Sequence, residues 1–242
     1  MAERIGLSKN VKLEWMNLAA DQHLLGKTQM EAMPVIDTKI QESIKCQANV
    51  RTIRAILMNM WFKNQDWFLD QATNVIRGIS ESERLTIHWA LMLARYPFFY
   101  DLCTAIGGLF DFREEVTTEQ IRNRVFDKWG ARATLKPGLS QVIHMLKDLK
   151  TLNPVKPIGT YVHNTIPVSD AKIMQLLCAA ILMASGKEYM TWENISQHPA
   201  LFPFTVEGLT QGDMASCEHI RLERMGDDII LRVVDNCGNM KE

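Results

Sequence analysis

Residues 116–164, VTTEQIRNRVFDKWGARATLKPGLSQVIHMLKDLKTLNPVKPIGTYVHN, decide how this chain is read. Ile121, Val125 and Trp129 recur at helical spacing, leaving Arg122, Arg124 and Lys128 outside. Thr117 and Gln120 have the spacing of a capping box at the start of that helix. Gly130 turns the chain, and Lys136-Pro137-Gly138 leads into a second helix over 137–150. Its buried stripe is Leu139, Val142, Ile143, Leu146 and Leu149, and its opposite face presents Ser140, Gln141, His144 and Lys147. Residues 153–168 are rich in Pro, Gly and β-branched side chains and read as a loop or short hairpin. Two short helices, a tight turn and a hairpin describe a winged helix-turn-helix.

The same stretch is electrically unusual. It carries eight Lys or Arg against three Asp or Glu, a net +5, inside a protein whose formal charge is −1. Residues 78–115 sum to −3 and residues 165–242 to −5, whereas residues 1–77 sum to +2. Such asymmetry points to a polyanion contact and carries no information about fold; a solvated basic face shows the same count.

Working outward, residues 8–25 predict a helix with Ser8 as N-cap and Gly26 as its stop. After Pro34, residues 38–61 read as one long periodic segment with Ile40, Ile44, Ala48, Ile53, Ile56, Leu57 and Met60 on its apolar face. Further helices are expected over 66–77, over 83–94 and over 96–106, the last stopped by Gly107-Gly108. Beyond the basic stretch the order recurs: a helix over 170–184 capped by Ser169, a short helix from Thr191, a helix over about 205–216, then a hairpin turning at Gly226-Asp227-Asp228. The helix in the reading position of this second copy carries Glu207 and Asp213 and no cation, so it is expected to contact protein rather than DNA. The expected fold is therefore mainly α: a helical N-terminal region over 1–78, a central basic winged helix-turn-helix over 79–166 and an acidic winged-helix-like module over 167–242, with short β-hairpins.

Composition bounds the function. At 242 residues with 47% hydrophobic and 23% charged, the chain can bury a core without a metal or disulfide staple. Five widely spaced Cys without a C-x-x-C point to a reducing compartment. Residues 1–10 lack an apolar core, and the longest apolar stretch, 176–184, is about half a bilayer span. A soluble, cytoplasmic protein with no membrane partner is expected.

Three stretches, ERLTIHWALMLARYPFFYDL (83–102), VTTEQIRNRVFDKWG (116–130) and KPGLSQVIHMLKDLKTL (136–152), together resemble the BrxA family of bacterial BREX phage-defence systems. NVRTIRAILMNM (49–60) resembles that family's earlier helix with spaced arginines. The resemblance implies a small, mainly helical protein with winged helix-turn-helix elements that binds double-stranded DNA without catalysis, alongside other proteins of a defence complex.

In a helix-turn-helix the second helix lies in the major groove and the first crosses the backbone. That geometry assigns Ser140, Gln141, His144 and Lys147 to base edges or phosphates. Arg122, Arg124, Lys128, Arg132 and Lys136 go to phosphates, and Lys156 on the wing adds one more. The cations are expected to share one face as a cradle for duplex backbone, with weak sequence preference because Ser and His are permissive readers. Lys45, Arg51 and Arg54 form a second candidate patch. Phe98, Phe99 and Tyr100 are expected in the core rather than stacking on bases, and His88 as a hydrogen-bonded interior residue. Cys217, His219 and Cys237 lack an evident fourth ligand for zinc, so no metal or cofactor is expected. No G-x-S-x-G, Walker loop or G-x-G-x-x-G occurs, and Asp227-Asp228 sits where a turn wants Asp anyway. The alternative function is a winged-helix interaction scaffold that does not touch DNA.

Overall fold

The computed structural model describes residues 5–131, 133–208 and 210–234, and they form a mainly helical protein with small sheets. Four helices open the chain: α1 (Leu13–Leu24), α2 (Gln29–Gln41), α3 (Gln47–Trp61) and α4 (Trp67–Ile76). The helix expected from Ser8 begins only at Leu13. Residues 5–12 instead run as an irregular strap whose Leu7 and Val11 are buried. The single segment expected over 38–61 is two helices. The stripe of Ile36 and Ile40 falls out of phase with that of Val50, Ile53 and Leu57, and Ala48, expected inside, is exposed. Breaking at 42–46 lets α2 fold back along α3 and bury both stripes. Pro34 sits inside α2, whose start is set upstream by the Thr28–Glu31 capping box.

Helix α5 (Arg84–Arg95) buries every residue from Leu85 to Leu93, which is why its sequence is apolar on all sides. Within it His88 Nε2 donates to Asn17 Oδ1 at 2.8 Å, the interior role expected of it. At its end Arg95 grips Asp66 with two bonds of 2.7 Å each, while Asp66 also caps α4 by accepting from the Leu69 N–H. Burial pushes the Asp66 carboxyl up, but the Arg95 guanidinium and the Leu69 amide outweigh it and hold its pKa below the usual value. Asp66→Asn keeps the cap and removes the counter-charge of a guanidinium whose side chain is only 8% exposed. It is expected to cost about 3 kcal/mol in a denaturant titration, more than Arg95→Met, which leaves only the half-buried Asp66 carboxylate, still bonded to the Leu69 amide.

Helix α6 (Pro97–Phe110) carries Phe98, Phe99 and Tyr100 into the core, as expected of them. It runs four residues past its expected end. Gly107 does not stop the helix; it lets the helix lie against the 3-10 turn Pro199–Leu201, where an added Cβ would stand 1.9 Å from the Pro199 carbonyl oxygen.

From α6 onward one order of elements occurs twice. The first run is α6, β1 (Val116–Thr117), α7 (Thr118–Trp129), α8 (Leu135–Asp148), β2 (Leu152–Val155) and β3 (Thr160–His163), with sheet order β1-β3-β2. After β4 (Ile166–Val168), the second is α9 (Ala171–Ser185), β5 (Met190–Thr191), α10 (Trp192–Ser196), β6 (Phe204–Val206), α11 (Gln211–Ala215), β7 (Ile220–Met225) and β8 (Asp228–Val233). Its sheet order is β5-β8-β7. Asp170, not Ser169, caps α9. The helix expected over 205–216 is replaced by β6, which pairs in parallel with β4, and by the five-residue α11. Gly208 at φ +68° separates them, a conformation glycine adopts without strain. Helix α9 packs along α5, and one contiguous set of buried side chains runs from Leu7 to Leu231 across all three sequence regions. No helix among the described residues is long and apolar enough to cross a membrane.

Candidate nucleic-acid interface

The basic stretch is built as the sequence implies locally. Thr117 Oγ1 accepts from the Gln120 N–H at 3.2 Å while Gln120 Oε1 accepts from the Thr117 N–H at 2.8 Å, closing the capping box of α7. Ile121, Val125 and Trp129 point inward, and the Trp129 ring meets Phe98 edge-on at 5.3 Å. Gly130 at φ +72° turns the chain toward α8. The buried stripe of α8 holds Leu135, Leu139, Val142, Ile143 and Leu146, leaving Lys136, Ser140, Gln141 and His144 exposed and Lys147 half-buried on the outer side. The β2–β3 turn carries exposed Lys156 and is tied to the first residue of α7 by a 2.8 Å bond from the Thr118 N–H to the Gly159 carbonyl.

The expectation of one shared cationic face is corrected by the geometry of α7. Residues two apart on a helix do not face each other, so Arg122 and Arg124 leave on opposite flanks. Arg124 and Lys128 border a hollow of about 290 Å³ against α6, beside Thr104 and Gly108. There Asp101, its side chain 11% exposed, binds Lys128 at 2.6 Å and accepts from Trp129 Nε1 at 2.8 Å. Lys128 is thus already neutralised by a carboxylate fixed in the fold. On the other flank Arg122 lies 3.4 Å from Glu119.

Helix α8 has a similar entanglement that its own sequence does not announce. The N-terminal strap crosses it: the Ile5 side chain lies 3.4 Å from where a Cβ at Gly138 would stand, the Asn10 N–H donates to Gln141 Oε1 at 3.4 Å, and Asn10 Nδ2 donates to Asp148 Oδ2 at 2.6 Å. Gln141, the best candidate for reading a base, is therefore engaged by the protein itself. His144 lies 3.9 Å from Asp148 across one helical turn. Lys136, Lys147, Lys156 and Arg124 make no ion pair among the described residues. Arg132 lies outside them.

The earlier cations sit elsewhere. Arg54 is ion-paired with Asp37 between α2 and α3, and exposed Arg51 lines the same face of α3 without an ion pair among the described residues. Exposed Lys45 Nζ donates to the Gln41 carbonyl, 3.2 Å away. Of the candidate zinc ligands, Cys217 accepts from Gln71 Nε2 and His219 stacks on Trp67 at 4.4 Å, whereas Cys237 lies outside the described residues. No group of three or more His, Cys, Asp or Glu is arranged to hold a metal ion among the described residues.

Sequence reasoning missed Asn10 and Asp101, the two residues that occupy candidate DNA ligands. Both partners are distant in the chain, so no local period could reveal them. Comparison with protein-family models, curated proteins and solved structures finds no match to this chain.

Proposed function

We propose that this chain is a non-catalytic component that binds double-stranded DNA through α8 and the β2–β3 turn, within a BREX-type phage-defence system. The observation that carries the reading is the run α6-β1-α7-α8-β2-β3 with β1 paired to β3. That order supports a winged helix-turn-helix, in which the second helix enters the major groove and the wing flanks the backbone. Here the outer stripe of α8 offers Lys136, Ser140, His144 and Lys147, and the turn offers Lys156. With Gln141 held by Asn10, only Ser140 and His144 remain for base edges beside the cations Lys136, Lys147 and Lys156, so phosphate contacts dominate over base contacts, which supports weak sequence preference. The placement in a defence complex rests on the BrxA resemblance of residues 49–60, 83–102, 116–130 and 136–152.

A salt-titrated mobility shift on random duplex tests it. Four cations without an ion pair among the described residues, Arg124, Lys136, Lys147 and Lys156, predict a log–log salt slope of about −4. Lys136→Glu/Lys147→Glu/Lys156→Glu is expected to flatten that slope by about three and to lower low-salt affinity by about a hundredfold or more. Arg122→Glu is expected to do far less. Unchanged binding by the triple variant would remove α8 from the interface.

The second reading, an interaction scaffold, is favoured by the acidic repeat of the same connectivity. Its α11 is five residues long and carries Asp213, too short and of the wrong charge for a DNA groove. No shift of duplex by the wild-type chain at low salt would leave only that reading.

A further inference from the structure

A cavity of about 580 Å³ opens between α2, α3 and the N-terminal strap, away from every residue assigned to the α8 interface. Its outer wall is one face of α3, from which Arg51, Arg54, Ala55, Met58 and Asn59 project at helical spacing, and Lys63 follows just beyond the helix end. The facing wall supplies Gln29 and Met33 of α2, and Gly6 with the Tyr96 ring closes the floor. The wall area is mostly apolar, the charge wholly positive. Arg51 and Lys63 are exposed and make no ion pair among the described residues, and Arg54 shares one Asp37 oxygen. No Asp or Glu lines the cavity.

Arg51 and Lys63, without an ion pair among the described residues, and Arg54, whose guanidinium keeps donors beyond its one bond to Asp37, leave positive charge around an apolar hollow, and that charge marks a place for an anion. Arg51 and Arg54 stand one helical turn apart, about 4.5 Å along the axis, a spacing at which two guanidinium groups can grip neighbouring phosphates. Beyond them Ala55, Met33 from the facing wall and the Tyr96 ring of the floor offer an apolar surface. Beside it the Gln29 amide provides a donor and an acceptor group, and the Asn59 amide, already bonded to the Tyr96 side chain, keeps its carbonyl oxygen as an acceptor. An acyl chain has no use for paired amides, but the edge of a nucleobase does. We propose that this cavity binds a nucleoside polyphosphate, phosphates at Arg51 and Arg54, base between Met33 and Tyr96 near Asn59. The site stands apart from the DNA reading and can fail or hold without it.

Calorimetric titration of the full chain with ATP, adenosine and inorganic tripolyphosphate tests the assignment. ATP is expected to bind most tightly, tripolyphosphate more weakly and adenosine undetectably. Arg51→Glu, at an exposed position without an ion pair, is expected to weaken ATP binding by about ten- to a hundredfold with an unchanged thermal midpoint. Ala55→Phe, which fills the hollow and leaves its charge alone, is expected to abolish ATP binding. Lys156→Glu should leave it as in wild type. No saturable ATP binding at low salt overturns the proposal, as does ATP binding unaltered by both Arg51→Glu and Ala55→Phe. Tripolyphosphate binding as tightly as ATP removes the base from the site. Displacement of ATP by duplex DNA that depends on Arg51 assigns these cations to the DNA footprint instead.

Discussion

Gly107→Ala is expected to lower stability by about 3 kcal/mol or more and the thermal midpoint by about 6–12 °C, while its neighbour Gly108→Ala raises both. The two glycines lie in the same helix, so alanine's higher helix propensity favours substitution equally at each, by about 1 kcal/mol. What separates them is the space around the added methyl. At Gly108 nothing lies within 4 Å. At Gly107 the methyl would stand 1.9 Å from the Pro199 carbonyl oxygen and 2.6 Å from its carbon, atoms of backbone that cannot rotate away. Relief requires α6 to lift off the turn at 199–201, which also carries the Ala200 carbonyl that accepts from Trp89 Nε1 and the Ala200 amide that donates to His198. Thermal melts of the two single variants check the claim; equal shifts of the same sign would falsify it.

The second large effect is a loss of stability in mild acid. His88 is fully buried; its Nε2–H is spent on Asn17 Oδ1, and its Nδ1 has no hydrogen-bond partner among the described residues. A proton added at Nδ1 would be an uncompensated buried charge. Burial, with a smaller push from the Arg84 charge, lowers its pKa from 6.5 to about 3. His198 is held neutral in the same way: its Nδ1 accepts from the Ala200 N–H at 3.1 Å, and burial followed by the Lys187 charge lowers its pKa to about 4. Both bind a proton more readily unfolded than folded. Their contribution is therefore complete above pH 6.5 and drains as pH falls from 6.5 through about 4 and 3. Each removes a little over 1 kcal/mol per pH unit in that window, so two histidines remove about 5 kcal/mol between pH 6.5 and about 4.5. Denaturant titrations across that range measure the slope, and His88→Gln, neutral at every pH, is expected to lower it by a little over 1 kcal/mol per pH unit. A flat profile from pH 7 to about 5 would mean that neither histidine is buried as described.

What the sequence made legible follows from the range of the forces involved. The Thr117–Gln120 box, the Ile121-Val125-Trp129 stripe and the paired hairpin strands are set by neighbours a few residues away, and each appears where its pattern says. The break between α2 and α3, the run of α6 past Gly107 and the strand β6 in place of a helix were hidden because tertiary partners decide them. The cations of 116–164 illustrate the same limit. Their number was plain, but whether each is free depends also on Asp101 and, for the nearby Gln141, on Asn10, neither of which shares the helix's period; only Glu119, one turn before Arg122, does.

The helix α5, enclosed on every side, belongs to no single part of the molecule. It rests on α1, α3 and α4 from the first region, on α6 from the middle and on α9 from the last. Severing the polypeptide near residue 166 would strip α9 from it and bare a greasy seam to water, so neither fragment should survive alone. The basic and acidic repeats are thus welded to one spine, unable to swing apart, and whatever each of them touches is held at a fixed distance from the other.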